Sequence, residues 1–227
     1  MKINFIDVGC AGYMPSPWRI NEYGKYINYV LGFDGFSDEL NYLDKEFPNN
    51  IVYNSIIFDD EKELLFNICK RSRVSSLFKP NREVLKSYIK YINTIRYPKI
   101  YHINKYDIEE NRKVKCVRLD TILKKHDINF DFIKIDTEGA DYNVIKSLGK
   151  YLDTQIVGIH TELYFKEMYK GITLFEDVDS FLKEHGFYLA KKMNGVEDFW
   201  ANFLYIRKHK SKKNKIKLIK KAYEVRI

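Results

Sequence analysis

Cysteine is scarce. The 227 residues include three, Cys10, Cys69 and Cys116, an odd number set far apart without C-x-x-C spacing. Neither a disulfide framework nor a zinc site is expected, and a reducing compartment fits. Long apolar runs are missing too. No stretch approaches the roughly 18 uninterrupted apolar residues of a membrane span, and the opening apolar run stops at Asp7, too early for a signal peptide. A cytoplasmic protein is the expectation. No internal repeat or low-complexity segment precedes residue 207. The length allows one large domain, or one domain with an insertion.

What is present is enough to fold: 45% of the residues are hydrophobic and 15% aromatic, sufficient to bury a core against the entropy of ordering the chain. The net charge of +8 is unevenly placed. Residues 207–227 carry ten basic side chains and one acidic one, whereas residues 1–206 carry 29 basic against 30 acidic. A neutral body with a basic tail is unlike a domain that spreads phosphate contacts over a folded face, which argues against nucleic acid as the main substrate.

The apolar pattern reads as strands alternating with helices. Ile3, Phe5, Ile6 and Val8 form a first strand ending at Gly9; Tyr29, Val30, Leu31 and Phe33 a second ending at Asp34; Ile51, Val52, Tyr53, Ile56 and Ile57 a third. Leu40, Leu43 and Phe47 recur at helical spacing before Pro48, between the second and third. Residues 58–112 hold charges, aromatics, Pro80 and Pro98, with helical spacing only at Val84, Leu85, Tyr88, Ile89 and Ile92, and are read as an insertion. Order resumes with a strand from Phe130 to Ile135, a helix presenting Val144, Ile145 and Leu148, and a strand from Ile156 to Ile159. A further helix is bounded by Thr173 as N-cap, in a capping box with Glu176, and by Gly186. Phe187–Ala190 and Phe203–Ile206 read as a closing hairpin about Asn194-Gly195. Together these predict an α/β fold with a mostly parallel sheet, helices on both faces and an antiparallel hairpin at the end.

In such sheets ligands sit outside the carboxyl ends of the strands, where the strand order reverses. After the first strand stands Asp7-Val8-Gly9-Cys10-Ala11-Gly12. Gly9 and Gly12 allow a sharp turn and close approach of a ligand to backbone amides, although a plain structural turn accounts for them equally. The dinucleotide fingerprint G-x-G-x-x-G is absent. Asp34, ending the second strand, has the acceptor oxygens to hold the adjacent hydroxyls of a ribose; the alternative is a turn aspartate before Gly35.

At these positions the chain resembles the FkbM-type methyltransferases. The resemblance rests on Phe5-Ile6-Asp7-Val8-Gly9 with Pro17-Trp18, on Leu31-Gly32-Phe33-Asp34, on Ser75-Ser76-Leu77, on Arg118-Leu119-Asp120-Thr121-Ile122-Leu123, and above all on Phe132-Ile133-Lys134-Ile135-Asp136-Thr137-Glu138-Gly139-Ala140-Asp141. The second strand here ends in Asp-Gly where many members show Glu-Pro. The resemblance spans residues 5–206, and between 58 and 112 it amounts to Ser75-Ser76-Leu77. It implies a Rossmann-like class I methyltransferase domain over residues 1–206, with S-adenosylmethionine as cofactor and transfer to a hydroxyl of a saccharide or small secondary metabolite.

On that basis Asp7, Gly9, Cys10, Gly12, Asp34 and Asp136 are the candidate cofactor-side residues. Asp136, Glu138, His160 and Glu162 are the candidates for removing a proton from the acceptor. Each also has a plain structural alternative: Asp136 or Asp141 as a helix cap, His160 as a buried hydrogen-bonded side chain, Cys10 as a small packing residue. Three acids and a histidine offer ligands to a divalent cation, but their spacing matches no known loop, so no metal is expected. A nicotinamide-dependent oxidoreductase, a non-catalytic nucleotide-binding scaffold and a nucleic-acid methyltransferase are the competing readings.

Two segments remain. In the tail, Ile216, Leu218, Ile219, Ala222 and Tyr223 interleave with Lys215, Lys217, Lys220 and Lys221, a pattern suited either to a basic amphipathic helix on the inner membrane face or to a solvated terminus. In the insertion, Tyr88, Tyr91, Tyr97 and Tyr101 with Arg96, Lys99 and His102 suit a lid over a saccharide acceptor, or a tyrosine-rich surface helix.

Overall fold

The computed structural model describes residues 1–12, 14–35, 43, 46–47, 49–95 and 101–226. Most of the helix expected around Leu40–Pro48 lies outside the described residues, as do Arg96, Tyr97 and Lys99 of the expected lid. In chain order the elements are β1 (Ile3–Val8), β2 (Ile27–Asp34), β3 (Asn50–Asn54), β4 (Ile56–Ile57), β5 (Glu63–Cys69), α1 (Arg82–Ile95), β6 (Ile108–Val117), α2 (Leu119–Leu123), β7 (Phe132–Ile135), α3 (Asp141–Ser147), α4 (Lys150–Thr154), β8 (Gly158–Tyr164), α5 (Phe175–Glu184), β9 (Phe187–Val196), β10 (Trp200–Arg207) and α6 (Lys213–Ala222). Among the described residues, seven strands form one sheet in the order β3-β2-β1-β7-β8-β10-β9, parallel except for β10, which is antiparallel to both neighbours. A smaller sheet, β4-β6-β5, stands apart.

The period of two along each central strand divides the core. Ile6 and Val8 of β1 with Ile133 and Ile135 of β7 face Val144 and Ile145 on α3, Leu148 just after it, and Val178 and Leu182 on α5. Ile3 and Phe5 with Phe132 point to the other face, against Trp18 and the α6 side chains Leu218, Ile219 and Tyr223. There Trp18 meets Phe5 at 5.6 Å, Phe132 at 5.3 Å and Tyr223 at 6.0 Å between ring centroids. Burial of each Leu, Ile or aromatic side chain in such a layer contributes about 1.5–3 kcal/mol. Strand order reverses between β1 and β7, so the ends of these two strands define the crevice.

Several boundaries differ from the sequence expectation. The third apolar run is split: Asn50–Asn54 joins the large sheet beside β2, while Ile56–Ile57 pairs with β6. Residues 58–112, read from the sequence as an insertion, contain the expected helix, α1, but also β5 and the first half of β6, which pair antiparallel. Thr173 is not the N-cap. Helix α5 begins at Phe175 with Leu174 as the capping residue and no side-chain cap bond, whereas its end at Gly186, with φ +77°, is as expected. The hairpin turns at Glu197–Phe199, with Asp198 at φ +64°, rather than at Asn194-Gly195. Gly195 lies within β9, where the β10 backbone crosses so closely that a Cβ would stand 2.3 Å from the Trp200 carbonyl oxygen.

The tail is the largest difference. Its helix, α6, forms, but the apolar stripe that would enter lipid is packed on the sheet: Ile219 is wholly buried, and Leu218, Ala222 and Tyr223 nearly so. Two of its lysines are anchored inward, Lys215 Nζ at 2.6 Å and the preceding Lys212 Nζ at 2.8 Å from the buried carboxylate of Asp131. Lys213, Lys217 and Lys221 remain exposed. Among the described residues, no helix is long and apolar enough to cross a membrane.

Candidate active site

The crevice at the β1–β7 junction is built on a tight backbone contact. Gly9 adopts φ +75°, and a Cβ there would lie 1.9 Å from the Asp136 carbonyl oxygen, so only glycine lets the loop after β1 pass against the end of β7. The Gly9 and Cys10 amides both donate to the Phe33 carbonyl, at 2.9 and 3.2 Å, and the Ala11 amide donates to Asp34 Oδ2 at 3.1 Å. Thus the glycine turn and the acid ending β2 are locked together.

Below the turn, a polar row crosses the sheet. Asp7, Lys134 and His160 are register neighbours on β1, β7 and β8. Lys134 Nζ donates to the Gly9 carbonyl at 2.7 Å and pairs with Asp7 Oδ1 at 3.2 Å and Asp136 Oδ2 at 3.7 Å. Burial alone would lower the ammonium pKa, but Asp7 and Asp136 overcome it and hold the lysine charged.

A cleft of about 670 Å³ opens above these strand ends. Gly9, Ala11 and Asp34 line one side, Ile56 and Ile57 another, and Asp136, Glu138 and Glu162 the floor toward β8. Asp136 is half exposed. Glu138 follows two residues on in a left-handed conformation, φ +53°, fixed by the Ser76 hydroxyl, which donates to its carbonyl at 2.7 Å. The Glu138 carboxyl accepts from Tyr169 Oη at 2.7 Å and Tyr164 Oη at 3.2 Å on the same oxygen, Oε2. Tyr164 Oη also stands 2.6 Å from Glu162 Oε1. One hydroxyl proton cannot serve two carboxylates, so both contacts are hydrogen bonds only when one of the glutamates is itself protonated.

Electrostatics agree. Burial, then the neighbouring Asp136, push Glu138 up to about 8, the tyrosine hydrogen bonds opposing; the same two causes, with Glu138 itself, raise Glu162 well above the carboxylate range. Asp136, Glu138 and Glu162 each offer an oxygen within 4.8 Å of the others, a hard-oxygen set of the type that holds a divalent cation. Asp141 serves the frame: it accepts from the Thr137 amide and hydroxyl and from Thr161 Oγ1 and the Glu162 amide, tying the loop after β7 to β8.

Of the candidates read from the sequence, Gly9, Asp34, Asp136, Glu138 and Glu162 line this cleft. Asp7, Cys10 and Gly12 do not. Asp7 is wholly buried in its pair with Lys134, and the Cys10 thiol, its pKa raised by burial and then by Asp7 and Asp34, packs in the core beside Leu43 and Phe47. His160 lies apart from the glutamates, bordering an adjoining cleft of about 950 Å³ that shares Lys134 and Asp136 with the first. Both its nitrogens are engaged, Nδ1 with Tyr223 Oη at 2.8 Å and Nε2 with Asn202 Oδ1 at 3.1 Å. Asn202 Oδ1 can only accept, so the ring proton sits on Nε2; Tyr223 Oη, whose oxygen accepts from Trp18 Nε1 at 2.9 Å, in turn donates to Nδ1 of His160. Burial lowers its pKa to about 4 and keeps it neutral. With its lone pair occupied, His160 is not placed as a base.

Sequence reasoning missed Lys134, Tyr164, Tyr169 and the role of Ser76. Lys134 and Tyr164 were discoverable, because each is two residues from a candidate acid and a strand repeats its face every second residue.

The comparisons with known proteins follow this geometry. A family model described as the methyltransferase FkbM domain matches residues 59–189, more than half of the chain; the match includes the acids of β7 and β8 and begins beyond the glycine turn and Asp34. No curated protein matches the sequence. Among solved structures, the chain shares its fold with an FkbM methyltransferase from Methylobacillus flagellatus KT, at TM-score 0.50 and 12% identity over 90% of this chain. The chain spans 43% of that protein's length. A ribosomal protein L11 methylase from Lactobacillus delbrueckii subsp. bulgaricus is more distant, at TM-score 0.44 and 11% identity over 92% of this chain and 72% of that one. A magnesium protoporphyrin IX methyltransferase from Synechocystis PCC 6803, solved with bound SAM, gives TM-score 0.42 and 11% identity over 91% and 71%. From the extent of the domain match, the chain belongs to the FkbM methyltransferase family.

Proposed function

We propose that this methyltransferase moves a methyl group from S-adenosylmethionine to a hydroxyl of a saccharide or a small metabolite. The observation that carries the reading is a single cleft that joins the glycine turn and Asp34 to the Asp136–Glu138–Glu162 cluster. S-adenosylmethionine supplies an electrophilic methyl group on a sulfonium, so the protein has only to bind, orient and deprotonate.

The residues suit that ligand. A cavity near 670 Å³ is of the size that holds a nucleoside-sized molecule. Asp34 offers acceptor oxygens to ribose hydroxyls, and Phe33, Ile56 and Ile57 give apolar wall to a flat base. A cationic sulfonium is favoured beside Asp136 and the two glutamates. On the acceptor side, Glu138 receives the hydroxyl proton as attack proceeds, its Oε2 held in place by Tyr164 and Tyr169. A base with a pKa of about 8 is better matched to an alcohol than an ordinary carboxylate would be.

Calorimetry with S-adenosylhomocysteine and with NAD tests the cofactor: binding of the first and not the second is expected, and the reverse result overturns the reading. With an acceptor in hand, Glu138→Gln should abolish hydroxyl methylation while S-adenosylhomocysteine still binds; unchanged turnover would assign the proton to another group.

A further inference from the structure

The insertion gives the cleft a second charged pole. Arg71 and Lys105 stand on adjacent turns joined by a hydrogen bond from the Arg71 amide to the Lys105 carbonyl at 3.1 Å, and both line the same cleft as Glu138 and Glu162. Lys105 is half-buried. Its Nζ lies 4.7 Å from the ring centroid of Tyr106, 5.2 Å from Tyr101 and 5.7 Å from Tyr88. Among the described residues it has no carboxylate within ion-pair distance and no hydrogen-bond acceptor, Glu138 acting on it only from farther off. An ammonium taken partly out of water, surrounded by rings and beside a guanidinium, is left short of negative charge. Its pKa reflects this: burial and then Arg71 lower it to about 8, with Glu138 opposing.

The two poles of the cleft therefore have opposite sign. We propose that Lys105 and Arg71 form a subsite for an anionic group on the methyl acceptor, a phosphate ester or a carboxylate, with the tyrosine rings covering the carbon frame beside it. This deepens the methyl-transfer reading above and rests on it. An acceptor with a hydroxyl at one end and an anion at the other has one favourable orientation. Asp136 and the negative charge shared by the two glutamates repel the anion and the cationic pole attracts it, which turns the hydroxyl toward Glu138. The subsite thus acts on orientation as well as affinity.

The test is calorimetry on the full chain saturated with S-adenosylhomocysteine at neutral pH, titrated with glucose 1-phosphate, glucuronate and glucose. At least one of the anionic sugars should bind tenfold or more tightly than glucose, and which of the two does so separates a phosphate from a carboxylate acceptor. Lys105→Met should remove the preference and Lys105→Arg should keep it, with S-adenosylhomocysteine affinity, the measure of folding, within twofold in both. If neither anion outbinds glucose, or if the preference survives in Lys105→Met, the subsite is overturned and Lys105 is a structural pin among aromatic rings. Failure of the wild type to take up S-adenosylhomocysteine overturns the cofactor reading and this one with it; uptake without anion preference overturns this one alone.

Discussion

Lys134 and Asp7 face each other across the junction of β1 and β7, ammonium to carboxylate at 3.2 Å, both withdrawn from solvent. The pair fixes the floor of the crevice, because the same ammonium holds the Gly9 carbonyl. Removing one member strands the other as a buried charge. Lys134→Met should therefore destabilise the fold by about 3–5 kcal/mol. The double variant Asp7→Asn, Lys134→Met should recover much of that loss. Urea unfolding of the four proteins of this cycle measures it, and a double variant as weak as the single one would mean that the lysine acts through packing alone.

In the methyl-transfer reading, Asp34 holds the cofactor ribose. Replacing it with alanine removes charge-assisted bonds worth about 1.5–3 kcal/mol, a loss of at least tenfold in S-adenosylhomocysteine affinity. It also frees the Ala11 amide. Equal affinity by calorimetry would contradict the ribose assignment.

The glutamate cluster makes stability depend on pH with an unusual sign. A carboxyl whose pKa is raised on folding binds its proton more tightly in the native state, so its contribution is present at low pH and lost as pH climbs from the ordinary carboxylate value toward the raised one. For Glu138 that window runs from 4.5 to about 8. His160, lowered from 6.5 to about 4, acts oppositely, costing stability as pH falls through that range. Above pH 6.5 His160 no longer contributes, and Lys105, lowered to about 8, opposes the glutamates only as pH approaches that value; thermal unfolding of the unliganded protein should therefore show a melting temperature that falls as pH rises from 6.5. Glu138→Gln should flatten this slope. A slope unchanged in that variant would place the titration elsewhere.

Tyr223 is the bridge of the opposite face. Tyr223→Phe leaves Trp18 Nε1 without its acceptor and His160 Nδ1 without its donor, which should cost about 1–3 kcal/mol per unmet group. Cofactor affinity should stay as it was, since neither residue lines the principal cleft. Parallel denaturation and calorimetry distinguish the two effects.

How far the sequence could be read depended on burial. β1, β2, β7 and β8 are covered on both faces, so their apolar runs were visible, and with them the parallel character of the sheet and the acids at its rim. β5 and β6 were not: most of β6 is exposed and polar, and β5 mixes apolar residues on both faces with Glu63 and Asn67, so neither offers a clean apolar stripe. Thr173 and Glu176 spelled a capping box, yet the helix starts at Phe175, whose ring stacks on Phe203 at 4.7 Å. Tertiary packing outweighed the local signal. At the site, Glu138 and Glu162 were legible as residues at strand ends. Tyr169, which donates to Glu138 beside the bridging Tyr164, comes from a loop whose sequence has no period. The tail's apolar spacing permitted a helix face as one of two readings, and the helix forms. What no single sequence states is whether such a face meets lipid or the protein's own sheet.

The docking of α6 on the sheet has a consequence for biosynthesis. The aromatic layer of Phe5, Trp18 and Phe132 is sealed by residues 218–223, more than two hundred positions after β1. During translation the first strands emerge long before their cover does. Until that segment leaves the ribosome, an oily surface stays open to chaperones and proteases, and a premature stop before residue 218 would yield a polypeptide with its crevice complete in sequence but its back face bare.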